Sequence, residues 1–574
     1  MFYNSPVPHL YKKTFKGRTY WYAREVHRVG GKVRVKWQKY LGTPETILAR
    51  FEEAEEPERP IKLRTEPFGA LFAAHVLEQQ LDTIGIVNSV VPGAARETGP
   101  TVGEYFFYAW ANRMIAPKSK RALEDWYRKS AIQHIRPVDV GDLSSERYWE
   151  KWNRVSRTQV EEIGRRFFQT IGSRRTVSPE SLLFDTTNYF TYMATKTKSE
   201  LAVRGHNKSS KHHLRQIGVG LLLDRESSLP LYYTAYPGNL HDSKLFHQIM
   251  DEIFGVLCGF GEGERELTVV FDKGMNSEDT IARIDSQSQL HFITTYSTYF
   301  AEEFARLDPK HFHPLAIPKN RALREEGRVG DLLLAYRSTL SLWGRERTVV
   351  VTFNPVTKRK KLYDFTKKME RLRSELIEYR RKYHNREPQW QSPTKITSRY
   401  HKLCEDLYIS PKYYRLTFAN GTMSFRKDPQ EISAHQAMMG KNVIVTDNHV
   451  WSTEAIVSAS LDRSRIEKQF RASKAPCHVQ VNPMFHWTDS KIRCHLLTCV
   501  IALASLRLLE LKVGGGHSAK TIMEQMHKLN RVLSWRRGAR MPKDQIEEPT
   551  ELQAHILAQL GYQVKDGSVL QLAS

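Results

Sequence analysis

Three acidic residues stand in settings that suit chemistry on a phosphodiester. Glu467 lies in LDRSRIEKQFRASKAP (461–476). At 3.6 residues per helical turn, Arg463, Glu467, Arg471 and Lys474 fall near one stripe, so a single acid is bracketed by cations. An acid among bases suits a metal ion facing a phosphodiester. Two earlier acids each sit at an apolar strand, Asp185 inside LLFDTTNYF and Asp272 at the end of LTVVFD. A carboxylate in such a run is costly unless a cation or a metal compensates it, which sets this pair apart from the exposed acids. Asp242, in YPGNLHDSKLF, ranks behind them because an Asp at a helix start is usually a cap. The histidines do not offer a second metal centre. His206, His212 and His213 lack ligand spacing, and Cys477-His478, His486 and Cys494-His495 are irregular for zinc. The five cysteines show no CxxC pair, which suits a reducing cytoplasm and argues against a disulfide framework.

The elements that must position the three acids read as follows. From Ser181 the order is three strands (LLFDTTNYFTYM, IGVGLLL, LPLYYTAY), a helix near SKLFHQIMDEIF, the strand LTVVFD, a helix opening at Asn276 or Ser277, and the strand LHFITTY. This α/β order is consistent with an RNase H-like sheet, with Asp185 on the first strand and Asp272 at the end of the fourth. Residues 301–440 interrupt the pattern with strand-like pieces (DLLLAYRSTLSLW, RTVVVTF) and a long basic helix. In that helix Leu362, Phe365, Met369, Leu372, Leu376, Tyr379 and Tyr383 recur at steps of three and four. Ile396, Tyr400, Leu403 and Leu407 supply a partner stripe, predicting an antiparallel helical hairpin. The pattern then returns with the strand KNVIVTD and a helix starting near Ser452 or Thr453 that carries Glu467.

The expected organisation is therefore a small β-rich unit over 1–60 and a helical, DNA-binding region over 61–175. The core follows over 176–300 and 441–516, split by the insertion 301–440, and a helical tail covers 517–574. Gly30-Gly31 between two aromatic, β-branched runs predicts an N-terminal hairpin whose Arg, Lys, Tyr and Trp would suit a DNA backbone. Trp110, Trp126, Tyr148, Trp149 and Trp152 recur at helical spacing and are expected in the core of the helical region.

Across 574 residues, 87 Lys and Arg face 63 Asp and Glu, a net charge of +24 that implies a polyanionic partner. The N-terminus lacks the apolar core of a signal peptide. The most apolar helix, from His495, is broken by Arg507 and Glu510 and reads as a buried helix, not a membrane span.

With these residues in place, the chain resembles the DDE transposases of bacterial insertion sequences, in the superfamily with a β-rich insertion and a Y-x2-R-x3-E-x6-K signature. Here the signature reads Ser460-x2-Arg463-x3-Glu467-x6-Lys474, matching at three of four positions. FDTTNYF, FDKGMNS, YPGNLHDSK, KVRVKWQKYLG and FHWTDSKIRCHLL also resemble the family's segments, so the likeness runs over most of the chain. The resemblance implies a catalytic triad of Asp185, Asp272 and Glu467 holding two Mg²⁺ ions, with Mn²⁺ as a substitute, because such ions take oxygen ligands. It implies DNA contacts from Arg463, Lys474, Arg471 and the shorter Ser460. The activity it implies is cleavage at element ends and strand transfer into target double-stranded DNA, by a homodimer in the bacterial cytoplasm at the nucleoid. Relatives often flip a base onto an insertion aromatic; Trp343 and Trp390 lie there. The alternatives are an RNase H-like nuclease that cuts without joining, and an inactive DNA-binding regulator.

Overall fold

The computed structural model describes residues 8–29, 32–55, 60–93, 97–173, 180–193, 197–205, 211, 213–258, 266–297, 302–476, 479–537 and 539–572. A nine-stranded mixed sheet runs through the centre. Its strands are β1 (Ser181–Thr191), β2 (Arg215–Asp224), β3 (Pro230–Pro237), β4 (Leu267–Phe271), β5 (Leu290–Tyr296), β6 (His313–Pro314), β7 (Leu334–Leu342), β8 (Arg345–Phe353) and β9 (Lys441–Thr446). They lie in the order β6-β7-β8-β9-β5-β4-β1-β2-β3. β1, β4 and β5 run parallel to their neighbours among themselves, while every other pairing is antiparallel. Leu182, Leu183 and Phe184 of β1 and Val269, Val270 and Phe271 of β4 are fully buried, as strands covered on both faces require.

Residues of the segment 301–440, expected to form an insertion, contribute to this same sheet. The strands β7 and β8, expected inside a separate unit, extend the sheet beyond β9, with Val349 opposite Val445 and Val351 opposite Val443. The run from Arg347 to Phe353 is buried throughout, so β8 needs partners on both edges and both faces. Between β8 and β9 the chain leaves the sheet as the helices Pro355–His384 and Pro393–Leu407. Their stripes meet in a second core, centred on Phe365, Met369, Leu372, Leu376, Ile396, Tyr400 and Cys404. Trp390 is half-buried there, its ring 4.8 Å from that of Tyr379 and 4.1 Å from the Arg399 guanidinium. Trp343 packs edge-on to Phe292 and Tyr296.

Helices from Gly69 to Ser173 form the expected bundle, with Trp110, Tyr148 and Trp152 fully buried. Trp126 is only partly buried against that core, and Trp149 is exposed beneath the Lys491 ammonium. The helix Val102–Ile115 opens with a reciprocal Thr101/Glu104 cap. The helix Asp489–Val513 runs between bundle and sheet, buried along most of its length. Among the described residues no helix is long and apolar enough to cross a membrane.

Both ends of the chain are more β-rich than expected. The segment 517–574 holds two helices but also the strands Asn530–Trp535, Lys543–Ile546, Tyr562–Lys565 and Ser568–Gln571. Asn530–Trp535 pairs with Lys62–Pro67, at the head of the helical region, so the tail closes on the front of the chain. The N-terminal hairpin is a three-stranded sheet of His9–Phe15, Arg18–Val29 and Lys32–Gly42, followed by the helix Pro44–Glu55.

Candidate active site

Asp185 and Asp272 are brought level by the register of two neighbouring parallel strands. Leu183 pairs with Val270, and carrying the register two residues further sets Asp185 beside Asp272. Because side chains alternate with a period of two, both carboxyls leave the sheet on one face. On the far side of β4, Phe271 pairs with Thr294, which places Thr295 beside Asp272, and Thr295 Oγ1 donates to Asp272 Oδ1 at 3.2 Å.

The helix Thr453–Lys474 packs against β1, β4, β5 and β8. Ser452 caps it by accepting from Ala455 N, and its buried stripe of Ile456, Ala459, Ile466, Phe470 and Ser473 holds one face inward. Polar contacts fix it along its length. Arg225 Nε donates to Asp462 Oδ2 at 2.8 Å, Arg465 Nη1 to Arg225 O at 2.7 Å, and Tyr189 OH shares a 2.6 Å hydrogen bond with Ser473 Oγ.

From this helix Arg463 Nη1 donates to Asp272 Oδ1 at 3.1 Å. Arg463 Nε is buried and has no hydrogen-bond partner among the described residues. Lys474 Nζ donates to Thr187 Oγ1 at 2.6 Å and stands 5.2 Å from the centre of the Tyr189 ring. Glu467 is exposed and makes no hydrogen bond or ion pair among the described residues, as is true of Arg471 one turn on. Ser460 is partly buried on the same helix. The side chain of Asp242, first residue of the helix Asp242–Cys258, lies outside the described residues, as do His206, His212, Cys477 and His478.

The electrostatics separate the two aspartates. Burial pushes the Asp185 carboxyl up to about 6; a hydrogen bond from Thr186 N and the charge of Arg463 oppose the rise, while the charges of Asp272 and Glu467 add to it. Asp185 therefore feels both of the other acids. At Asp272 burial also pulls upward, but the Arg463 charge, the Lys273 N–H, the Thr295 hydroxyl and the Arg463 hydrogen bond together hold the carboxyl below its ordinary value. Burial lowers the Lys474 ammonium, and Asp185 works against that drop.

All the acidic donors here are carboxylate oxygens, the ligand type that hard divalent cations take. Among the described residues no three His, Cys, Asp or Glu side chains draw close enough to grip an ion, and Arg463 bonds Asp272 in their midst. Thr187 and Thr295 were not singled out in the sequence. A strand run such as LHFITTY shows that Thr294 and Thr295 face opposite ways, but not which of them meets Asp272; that needs the register between parallel strands.

A family model described as the transposase DDE domain matches residues 190–503, more than half of the chain. The protein belongs to the transposase DDE domain family, an enzyme class of nucleases and transferases that generally use divalent metal ions. The matched span holds Asp272, Arg463, Glu467 and Lys474 and begins five residues after Asp185. No curated protein matches the chain. Among solved structures, one that it resembles is a piggyBac transposase synaptic complex with hairpin DNA, at 9% identity and a TM-score of 0.38, covering 80% of this chain and 78% of the other.

Proposed function

We propose that this transposase cleaves double-stranded DNA at the ends of an insertion sequence and joins them to target DNA by in-line phosphoryl transfer, with Asp185, Asp272 and Glu467 as its catalytic carboxylates. The observation that carries the reading is the pairing of Asp185 and Asp272 on one face of neighbouring parallel strands, under the helix that bears Glu467. On this reading the part of the sheet ordered β3-β2-β1-β4-β5, with the helix Thr453–Lys474, is an RNase H-like core made of residues 176–300 and 441–516. Residues 301–440 are its insertion, 61–175 a DNA-binding helical region, 1–60 a small β unit and 517–574 the C-terminal region.

Asp185, Asp272 and Glu467 fit a pair of Mg²⁺ ions by donor chemistry, and bound Mg²⁺ would supply Lewis-acid activation of the attacking and leaving oxygens. The protein's own groups do the rest. Asp185, raised by burial and by its acidic neighbours, is a carboxyl that an incoming cation would draw into the charged form. Arg463 neutralises Asp272 until then, and on release its guanidinium fork suits a phosphate beside the site. Lys474, held over Tyr189 by Thr187, offers a second phosphate contact, and the exposed Arg471 a third. Ser460 stands where the signature has a tyrosine, and its shorter side chain reaches less far toward DNA while leaving the metal site untouched. A homodimer holding two paired ends, acting on DNA in the bacterial cytoplasm at the nucleoid, completes the proposal.

The test is incubation of the purified chain with Mg²⁺ or Mn²⁺ and labelled DNA carrying the element's own ends, beside Asp272→Ala. Metal-dependent cleavage and joined products that vanish in the variant support the reading. Cleavage with no joined product points to a nuclease, and binding without cleavage in either protein points to a regulator.

A further inference from the structure

The N-terminal sheet concentrates positive charge. Residues 9–42 hold ten Lys and Arg and one acid, Glu25. That acid is buried, taking Lys36 Nζ at 2.6 Å and Trp37 Nε1 at 2.7 Å, so the segment presents cations to solvent and no carboxylate. The sheet is too thin for a core of its own; its first and third strands are exposed along most of their lengths.

One face has a definite composition. Tyr11 pairs with Tyr22 and Tyr22 with Tyr40, so the three rings share a side, with centroids 6.4 and 5.2 Å apart. Tyr20 joins them, 6.1 Å from Tyr40. Cations bound the ridge. Arg24 lies 3.7 Å from the centre of the Tyr11 ring at one end, with its Nε donating to His9 Nε2 at 3.1 Å, while Lys13 and Arg18 are exposed at the other. Tyr40 is 52% exposed, and the following helix packs at the Gly42 end, where Thr46 meets Gly42 and Arg50 reaches Leu41 O.

We propose that this tyrosine face docks on the phosphate backbone of duplex DNA, as a contact separate from the carboxylate site. The inference rests on the reading of the chain as a DNA transposase. Phosphate is the complement of a surface that carries cations without acids, and the tyrosine hydroxyls add neutral donors to phosphate oxygens. The rings pack on one another at tilted angles and Arg24 lies over Tyr11, so side-chain freedom is already reduced before docking. The proposed role is positioning through phosphate contacts.

The test uses the full chain and a labelled duplex bearing the element ends, with binding measured across a range of salt. In the double variant Lys13→Glu, Arg18→Glu, the slope of log K against log salt is expected to become shallower by about 1.8, the share of two phosphate contacts, with affinity at least about tenfold weaker near physiological salt. The milder pair Lys13→Gln, Arg18→Gln should move the same way by less, at an unchanged Tm, which separates lost contact from lost folding. Variants that keep the wild-type affinity and slope overturn the surface while leaving the transposase reading intact. A wild-type chain that binds no duplex sinks both. Polyglutamate bound as tightly as duplex, and weakened by the same substitutions, overturns DNA as the occupant.

Discussion

Arg463 reaches across from its helix to Asp272 and donates to Oδ1 at 3.1 Å, so the strand-end aspartate is paired with a cation while Glu467, one turn on, faces solvent. The contact sets two demands on Arg463 against each other. It compensates a carboxylate that would otherwise stand beside two more, and it occupies an oxygen that a divalent cation would take. Arg463→Ala is therefore expected to bind Mn²⁺ several-fold more tightly in the absence of DNA, by calorimetric titration, while cleaving DNA at least about tenfold more slowly. Weaker Mn²⁺ binding in the variant would show that Arg463 does not compete for Asp272.

Asp185 carries the opposite balance. Its carboxyl is raised to about 6, with burial as the leading cause, so at pH 8 and without metal the protein holds a charge in a site that disfavours it. The folded value lies above the unfolded one, so the cost is absent at pH below the unfolded value near 4 and complete above 6. Asp185→Asn is expected to stabilise the metal-free chain at pH 8 by on the order of 2 kcal/mol and to abolish cleavage. Thermal melts of both proteins at pH 8 in a chelator check the first part; a variant less stable than wild type would remove the buried charge as the explanation.

How much of this was legible beforehand depends on whether the information is local. The start of the helix Thr453–Lys474 is written in Ser452 and in the stripe that follows it, and the helical hairpin in the three-and-four spacing from Leu362 to Tyr383. Pairing between distant strands is not local. Nothing near Asn530 announces Lys62–Pro67 as its partner, and nothing in RTVVVTF says that it joins the central sheet instead of a sheet of its own. At the candidate site, residue types and spacing marked Asp185, Asp272, Glu467, Arg463 and Lys474. That Arg463 bonds Asp272, that Lys474 bonds Thr187, and that Thr295 supports Asp272 depend on register and on helix rotation, which a periodic stripe leaves open by a residue or more.

A second pH effect belongs to the helical region, far from the carboxylate site in sequence. Glu78 is buried, accepting from the Thr83 hydroxyl and from Ile84 N at 2.8 Å. Burial pushes its carboxyl up to about 7, more than these bonds pull it down. Its folded value again lies above the unfolded one, so stability falls as pH rises from about 4.5 through 7 and then levels off. Glu78→Gln keeps an acceptor oxygen for Ile84 N, turns the other oxygen into an NH2 that can donate to the Thr83 hydroxyl, and removes the titration. The variant is expected to show a flatter stability profile between pH 5 and 8 and a higher midpoint in urea at pH 8, on the order of 1–3 kcal/mol. An unchanged pH profile would mean that Glu78 is not the group responsible.

The two cores of the chain make the last expectation. The helices Pro355–His384 and Pro393–Leu407 bury Leu372 and Leu376 completely, in a cluster separate from the one that spans the bundle and the nine-stranded sheet. Removing the Leu372 side chain costs its transfer energy plus the cavity it leaves, about 2–5 kcal/mol for a Leu→Ala change at a fully buried site. Because Leu372 belongs to this second cluster, which also holds Tyr413, Tyr414, Met423 and Met439, the loss should fall on that cluster and not on the central sheet. Leu372→Ala is expected to speed amide hydrogen exchange across 355–407 while β1, β4 and the helix Asp489–Val513 keep wild-type protection. Exchange that rises equally in the central sheet would show the two cores to be one cooperative unit. Local loosening would instead establish this second cluster as an element that can open without unfolding the sheet on which Asp185 and Asp272 stand.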